Sequence, residues 1–165
     1  MHYEKISSSD VLAIQELSKL ATEIVKQHFD AIIGAEQNDY MIRKFQSVFA
    51  IIEQLKNGYA YYFVNDGSGD RAGFIAFCAR KNELYLSKFY LKKAQRGKGI
   101  AKDMLRFIIE QARKAGLFSI VLNVNKNNNA ILAYEKMGFK KIREEKIDIG
   151  NGYIMDDFVY EYVIE

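Results

Sequence analysis

The segment of the chain that decides the fold reads Gln95-Arg96-Gly97-Lys98-Gly99-Ile100-Ala101. It follows a stretch with strand character, residues 83–91, and it opens a stretch with helical periodicity, residues 97–115. The first N–H groups of a helix lack intrahelical partners and lie at the positive end of the helix dipole, so they attract anions. Glycines let the backbone approach a ligand closely because they carry no Cβ. The segment therefore predicts a bound phosphate or diphosphate.

Positive charge is concentrated around the same segment, on the side chains of Lys92, Lys93, Arg96, Lys98 and Lys102. Two glycines taken alone are explained equally well by a simple strand-to-helix turn. Two commoner phosphate motifs are excluded, however. The Walker pattern, Gly-x-x-x-x-Gly-Lys-Ser/Thr, is absent, and the dinucleotide fingerprint needs a third glycine where Lys102 stands.

Before the glycine segment, the sequence predicts helices and then strands. Ser9 and Asp10 are expected to cap a helix that runs to about residue 25, and further helices are expected over residues 39–44 and 47–56. Aromatic and β-branched residues then predict three consecutive strands, with a turn at residues 65–70 between the first two. These strands are residues 59–64, 72–80 and 83–91.

After the segment, strands and helices alternate. The expected order is strand 119–124, helix 127–137, and strands 141–149 and 155–164. Taken together, the elements predict an α/β fold with a mixed, mostly antiparallel sheet flanked by helices. The length of 165 residues suits one domain, residues 1–165.

The run from Ser87 to Ala101 resembles motif A of the GNAT superfamily of acyl-CoA N-acyltransferases. The family signature, Arg/Gln-x-x-Gly-x-Gly/Ala, is here Arg96-x-x-Gly99-x-Ala101; many members have proline where Lys93 stands. The resemblance implies that the loop amides hold the pyrophosphate of coenzyme A. It also implies that the preceding strand splays from its neighbour and binds the pantetheine arm and the acetyl carbonyl. By resemblance, the cofactor-binding residues here are Phe89, Tyr90, Leu91, Arg96, Gly97, Lys98, Gly99, Ile100 and Ala101.

A second stretch resembles motif B of the same family, Asn-x-x-Ala-x-x-x-Tyr-x-x-x-Gly-Phe, and it runs here from Asn127 to Phe139. The resemblance implies that Tyr134 is the catalytic acid that protonates the leaving sulfur, and that Asn127 and Lys136 contact coenzyme A. Without the resemblance, Tyr134 is a helix residue that packs on the sheet, Asn127 is a helix cap, and Lys136 is a solvated lysine. Leu132 is expected to be a core residue.

The expected function is transfer of the acetyl group from acetyl-CoA directly to a primary amine, which is a polyamine, a small amine or a protein amino group. Residues 33–41 resemble the bacterial polyamine and diamine acetyltransferase-like branch. The alternative is a catalytically silent acyl-CoA-binding or regulatory module. An amine must lose a proton before it attacks, so a general base is expected. Glu83 is a candidate, but an exposed turn carboxylate explains it more simply.

Composition excludes several other classes. The single cysteine, Cys78, lies in an apolar run and is expected to be a core residue, so neither an intramolecular disulfide nor a cysteine nucleophile is expected. His2 and His28 lack ligands at metal-binding spacing, and no metal is expected. The net charge of +3 is too small to predict nucleic-acid binding, which would use the lysine cluster.

Cellular location and assembly are expectations of the same kind. No apolar run is long enough to span a bilayer, and the first residues do not resemble a secretory signal, so a cytoplasmic protein without a membrane partner is expected. The aromatic-rich stretch 153–162 is compatible with a homodimer interface and equally with ordinary core packing.

Overall fold

The computed structural model describes all 165 residues, Met1–Glu165. The strands are β1 His2–Lys5, β2 Ala60–Asn65, β3 Arg71–Arg80, β4 Glu83–Leu91, β5 Ser119–Asn125, β6 Lys140–Gly150 and β7 Tyr153–Val163. The helices are α1 Val11–Ile33, α2 Ala35–Phe45, α3 Val48–Lys56, α4 Ile100–Lys114 and α5 Ala130–Met137. No helix combines the length and the apolar character needed to cross a bilayer.

The seven strands form one sheet in the order β1-β2-β3-β4-β5-β7-β6. The pair β4–β5 is parallel, whereas β1–β2, β2–β3, β5–β7 and β6–β7 are antiparallel. The structure therefore confirms the predicted α/β class with a mixed, mostly antiparallel sheet. The chain packs into two compact units, residues 1–78 with 88–104 (unit 1) and residues 79–87 with 105–165 (unit 2).

Unit 1 has its apolar core between α1, α3 and the strands β2 and β3. The largest fully buried side chains of this core include Ile14, Leu17, Ile24, Tyr61, Phe63 and Phe74. The predicted cap of α1 is confirmed, and the start of α3 has a cap of the same kind. The carboxylate of Asp10 accepts a hydrogen bond from the N–H of Ala13 at the start of α1, and the hydroxyl of Ser47 accepts one from Ala50 at the start of α3.

Unit 2 is built on β5, β6 and β7. The strands β5 and β7 pair from Ser119–Val163 to Asn125–Asp157, and β6 and β7 form a long hairpin. Parallel pairing of β4 with β5 is found at Leu84–Ile120 and Tyr85–Val121, near the start of β4, which runs on to Leu91. Pairing with β5 at the beginning of β4 alone agrees with the splayed strand expected before the glycine segment.

The structure extends the predicted elements in three places. Strand β1 was not predicted, because its four residues show no apolar alternation; it forms by antiparallel pairing with β2. Helix α1 continues to Ile33, and α2 covers Ala35–Phe45 where only residues 39–44 were expected to be helical. Gly34 separates the two helices with a left-handed φ of 87°, which glycine adopts without strain.

Candidate functional site

The glycine segment forms a tight loop between β4 and α4 in unit 1. After β4 ends at Leu91, a short 3-10 turn covers Lys93–Gln95, and α4 begins at Ile100. Gly97 and Gly99 have φ values of 76° and 79°, a region that side chains with a Cβ rarely adopt. The two glycines are thus needed to form the turn. The first N–H groups of α4 lie at the exposed end of the helix, directly after this loop.

Three hydrogen bonds hold this loop in place within unit 1. The N–H of Lys92 donates to the carbonyl of Ala72 at 2.8 Å. The guanidinium of Arg96 donates to the carbonyl of Leu91 at 3.3 Å, which closes the loop on the end of β4. From outside the loop, the carboxylate of Asp66 accepts a hydrogen bond from Gln95 Nε2 at 3.2 Å.

Asp66 belongs to the turn between β2 and β3, and most of its other contacts lie in that turn. Its Oδ1 accepts from the hydroxyl and the N–H of Ser68 and from the N–H of Asp70. These donors, the Ser68 hydroxyl first, lower the pKa of the Asp66 carboxyl below its usual range. Asp66 therefore links an ordered turn to the glycine segment, a role that the sequence did not reveal.

The end of β4 lies very close to Gly73 of β3. A Cβ placed on Gly73 would come within 2.0 Å of the carbonyl oxygen of Tyr90. Only glycine therefore allows β3 to pass this segment, and the available sequence signal is a glycine inside a run of strand residues. The ring of Tyr90 packs against Phe74 and Phe29, with ring centroids 5.4 Å and 6.2 Å away.

The cations around the loop have no acidic partners. Arg96, Lys98 and Lys102 are exposed, and neither they nor Lys92 and Lys93 form an ion pair. An unneutralised cluster beside a helix start is an electrostatic setting for a phosphate-bearing ligand. The structure thus keeps residues 89–91 and 96–101 together on one continuous segment of unit 1.

Tyr134 lies on α5 in unit 2 and is partly buried. Its ring meets Phe139 edge-on at 5.7 Å, and Phe139 in turn packs on Tyr162 at 5.5 Å. Gly138 ends the helix with a φ of 108°, close against the Tyr162 ring. Burial raises the pKa of the Tyr134 phenol to about 12, so this group keeps its proton at neutral pH.

One structural prediction for motif B is wrong. Asn127 does not cap α5, because the helix begins at Ala130 and the cap position is occupied by Asn129. The side-chain oxygen of Asn128 accepts the N–H of Ala130 instead, at 2.9 Å, while the N–H of Asn127 donates to Asn125. Three asparagines in a row offer three registers for a cap, and the sequence does not distinguish them.

Other predicted residues lie as follows. Lys136 is exposed in the last turn of α5, and Glu83 is partly exposed at the start of β4. Cys78 is buried, in agreement with a core residue. Leu132, expected in the core, is 71% exposed and is a correction. Asn127, Tyr134 and Lys136 all lie in unit 2, whereas the glycine segment lies in unit 1.

Comparison with known proteins identifies the family. Residues 21–154 match the model of the acetyltransferase (GNAT) domain, and the chain therefore belongs to the GNAT acetyltransferase family.

Two curated relatives share part of their sequence with it. The GCN5-related N-acetyltransferase 6 of Arabidopsis thaliana is 38% identical over 86 residues, which is 48% of this chain and 30% of the plant protein. An acetyltransferase of Agrobacterium fabrum is 35% identical over 78 residues, which is 47% of this chain and 56% of that protein. The matched regions thus span between about a third and somewhat over half of these relatives.

Solved structures show the same fold over the whole chain. The PaiA N-acetyltransferase of Thermoplasma acidophilum, solved in complex with coenzyme A, superposes with a TM-score of 0.77 at 22% identity and covers 99% of both chains. Tetrahymena GCN5 superposes with a TM-score of 0.69 at 14% identity, covering 100% of this chain and 98% of its own. At these identities the likeness establishes the fold alone.

Proposed function

We propose that the protein is an N-acetyltransferase that moves the acetyl group of acetyl-CoA directly to a primary amine. The observation that carries the proposal is the glycine loop at the start of α4, with two glycines at positive φ and unpaired cations around it. Membership of the GNAT family and the coenzyme A bound to the Thermoplasma relative support the same cosubstrate.

The loop residues would bind the pyrophosphate. The amides that follow Gly97 and Gly99 meet the phosphate oxygens, and Arg96 and Lys98 supply charge. Phe89, Tyr90 and Leu91 would bind the pantetheine arm through their backbone groups, with the N–H of Leu91 stabilising the negative charge that develops on the thioester oxygen. Asn127 and Lys136 are proposed as further contacts to coenzyme A.

Tyr134 is proposed as the acid. Because its pKa is about 12, the phenol is fully protonated over the working range of pH. Tyr134 therefore donates a hydrogen bond to the departing sulfur, and the thiolate takes up this proton as the carbon–sulfur bond breaks, while the phenol regains a proton from the one that the amine loses when it becomes an amide. Cys78 is buried, which favours direct transfer to the amine over a covalent cysteine intermediate.

The acceptor is proposed only as a class, a primary amine on a polyamine, a small molecule or a protein. The resemblance of residues 33–41 makes polyamines the first acceptors to test. We also propose that residues 1–165 act as one N-acetyltransferase domain, because the family model spans residues from both compact units. The cytoplasmic location and the homodimer stay predictions.

The test is release of free thiol from acetyl-CoA with spermidine, spermine, amino acids, aminoglycosides and short peptides as acceptors. We expect turnover with one acceptor class, lowered in Tyr134→Phe and unchanged in Tyr153→Phe, a matched change on β7. Saturable acetyl-CoA binding without turnover on any acceptor would favour the silent binding module. Absence of coenzyme A binding would refute the proposal.

A further inference from the structure

Lys88 is a buried lysine on β4, 7% exposed, and the proposed chemistry does not use it. Lysine is rarely buried without a partner, because removing its charge from water is unfavourable. Burial lowers the pKa of the Lys88 amine to about 7. A lysine at this buried position therefore has to be stabilised by specific contacts.

The amine of Lys88 is surrounded by oxygen acceptors from three other elements of unit 1. It donates to the carbonyl of Phe45 at 3.0 Å, to Gln46 Oε1 at 3.0 Å and to the hydroxyl of Tyr61 at 2.8 Å. The Tyr61 hydroxyl in turn donates to Gln54 Oε1, which also lies 3.5 Å from the Lys88 amine. Three close acceptors match the three N–H donors of an ammonium group.

These contacts join two separate parts of unit 1. Phe45 and Gln46 form the corner between α2 and α3, Gln54 lies on α3, and Tyr61 lies on β2. The corner is itself fixed to α1, because the hydroxyl of Ser18 donates to the carbonyl of Gln46 at 2.7 Å. Lys88 is thus the residue of β4 that ties the strand to the corner between the helices.

The residues that follow Lys88 are the ones proposed to receive the acyl thioester. Side chains alternate along a strand, so anchoring Lys88 and Tyr90 on one face fixes the backbone of the residues between and after them. Tyr90 is held by Phe74, Phe29 and the close approach of Gly73. Lys88 is the second anchor, one residue before Phe89.

We propose that Lys88 is a positioning residue for acetyl transfer, which holds the backbone of residues 89–91 in register with the thioester by tying β4 to the corner between α2 and α3. The inference rests on the proposed function. Under this proposal, Lys88 affects the acyl end of the cosubstrate. The pyrophosphate would be bound separately, by the loop at residues 96–101.

The test compares Lys88→Met with wild type and with Lys19→Met, a change on the exposed surface of α1. Affinities for coenzyme A and for acetyl-CoA are measured by calorimetry, and turnover is measured with the best acceptor. We expect Lys88→Met to bind coenzyme A within about twofold of wild type and to bind acetyl-CoA more weakly than wild type does. We also expect kcat to fall by about tenfold to a hundredfold, the scale of a misplaced reacting group.

A second variant guards against misfolding of Lys88→Met. Gln46→Met removes one acceptor of the Lys88 amine without changing β4, and we expect the same split between kcat and coenzyme A affinity on a smaller scale. Variants that match wild type in turnover and in acetyl-CoA affinity would overturn the assignment of Lys88 while leaving the proposed function intact. A parallel loss of coenzyme A affinity and kcat would also overturn it, because Lys88 would then support the unit as a whole.

The proposed function fails in a different way. Wild type that binds neither coenzyme A nor acetyl-CoA would refute both proposals together. Wild type that binds both but transfers no acetyl group would also refute both, because Lys88 is proposed to act in acetyl transfer. Failure of the Lys88 proposal alone is recognised by active wild type whose Lys88→Met variant is equally active.

Discussion

The hydroxyl of Tyr3 donates a hydrogen bond of 2.6 Å to the carboxylate of Asp103, one hundred residues along the chain. Tyr3 lies on β1, and Asp103 lies in the first turn of α4, directly after the glycine segment. A carboxylate at a helix start competes with an external anion for the same positive end. The Tyr3 hydroxyl binds that carboxylate, and this contact would leave the amides of the helix start available to the proposed pyrophosphate.

Tyr3→Phe should therefore weaken coenzyme A binding slightly. The freed Asp103 carboxylate would repel the pyrophosphate, an effect of about 0.5 kcal/mol or roughly a twofold rise in Kd. Loss of the half-buried hydrogen bond should also lower the free energy of unfolding by about 1 kcal/mol. Calorimetric titration and chemical denaturation measure the two effects. Restoration of affinity by Asp103→Asn in the Tyr3→Phe background would show that charge is the cause; no restoration would contradict it.

Gly73→Ala should disrupt the end of β4. The new Cβ would meet the Tyr90 carbonyl at 2.0 Å, so either β3 or the backbone at residues 90–91 must move. We expect a loss of stability of about 1–3 kcal/mol, the usual range for overpacking, and a marked loss of acetyl-CoA affinity.

The matched control for this change is Gly67→Ala in the turn between β2 and β3, where an added Cβ meets nothing within 4 Å. Thermal unfolding and acetyl-CoA titration of both variants check the prediction. Equal behaviour of the two alanine variants would show that the approach of Gly73 to Tyr90 has no consequence.

How far the sequence predicts this structure depends on whether a residue acts through a local pattern or through a distant contact. The turn between β4 and α4, the Asp10 cap and the order of the elements from β2 onward depend on local patterns, and the structure confirms them. Strand β1 exists through its pairing with β2, and its own residues carry no strand signal.

Residues that act through distant contacts were missed or misplaced. The sequence gives no indication that Lys88 is buried, because its burial follows from acceptors more than 25 positions away in the chain. Gly73 and Asp66 act on a segment that lies about 20 to 30 residues later. Leu132, in contrast, has apolar character but is exposed, because a short helix buries only part of its surface.

Asp66→Ala should release Gln95 and loosen the glycine loop. The variant is expected to raise the KM for acetyl-CoA several-fold while leaving the KM for the acceptor unchanged, because the contact lies beside the loop proposed to bind pyrophosphate. Asp70→Ala, in the same exposed turn, is the control, since its carboxylate makes only a long contact with Ser68 at 3.4 Å. Steady-state kinetics with each substrate varied in turn measure both constants, and equal effects of the two changes would argue against a link through Gln95.

The lowered pKa of Asp66 gives this contact a dependence on pH. A carboxyl whose pKa is lower in the folded protein stabilises it above the unfolded pKa, and that stabilisation is lost as the pH falls through the folded pKa. The KM for acetyl-CoA should therefore be steady near neutral pH and rise in acid. Asp66→Ala should lack this rise, and a rise that persists in the variant would assign it to another group.

Lys88 should give the folded protein a stability that increases with pH above neutrality. Its pKa is about 7 in the folded protein and about 10.4 in an unfolded chain, so between these values the unfolded state binds more protons. Stability then rises with pH by up to about 1.4 kcal/mol per unit, or roughly 2 kcal/mol between pH 7 and pH 9. Below pH 7 both states are protonated and the dependence disappears.

The measurement is chemical denaturation of wild type and Lys88→Met at pH 6, 7, 8 and 9. The groups that face the Lys88 amine are Tyr61 and the uncharged amides of Gln46 and Gln54, and burial raises the pKa of Tyr61, so none of them titrates in this range. The difference in unfolding free energy between the two proteins should therefore change steadily in favour of wild type from pH 7 to pH 9. A constant difference would mean that the Lys88 ammonium keeps its proton throughout, held by its three acceptors, and that burial does not control its charge.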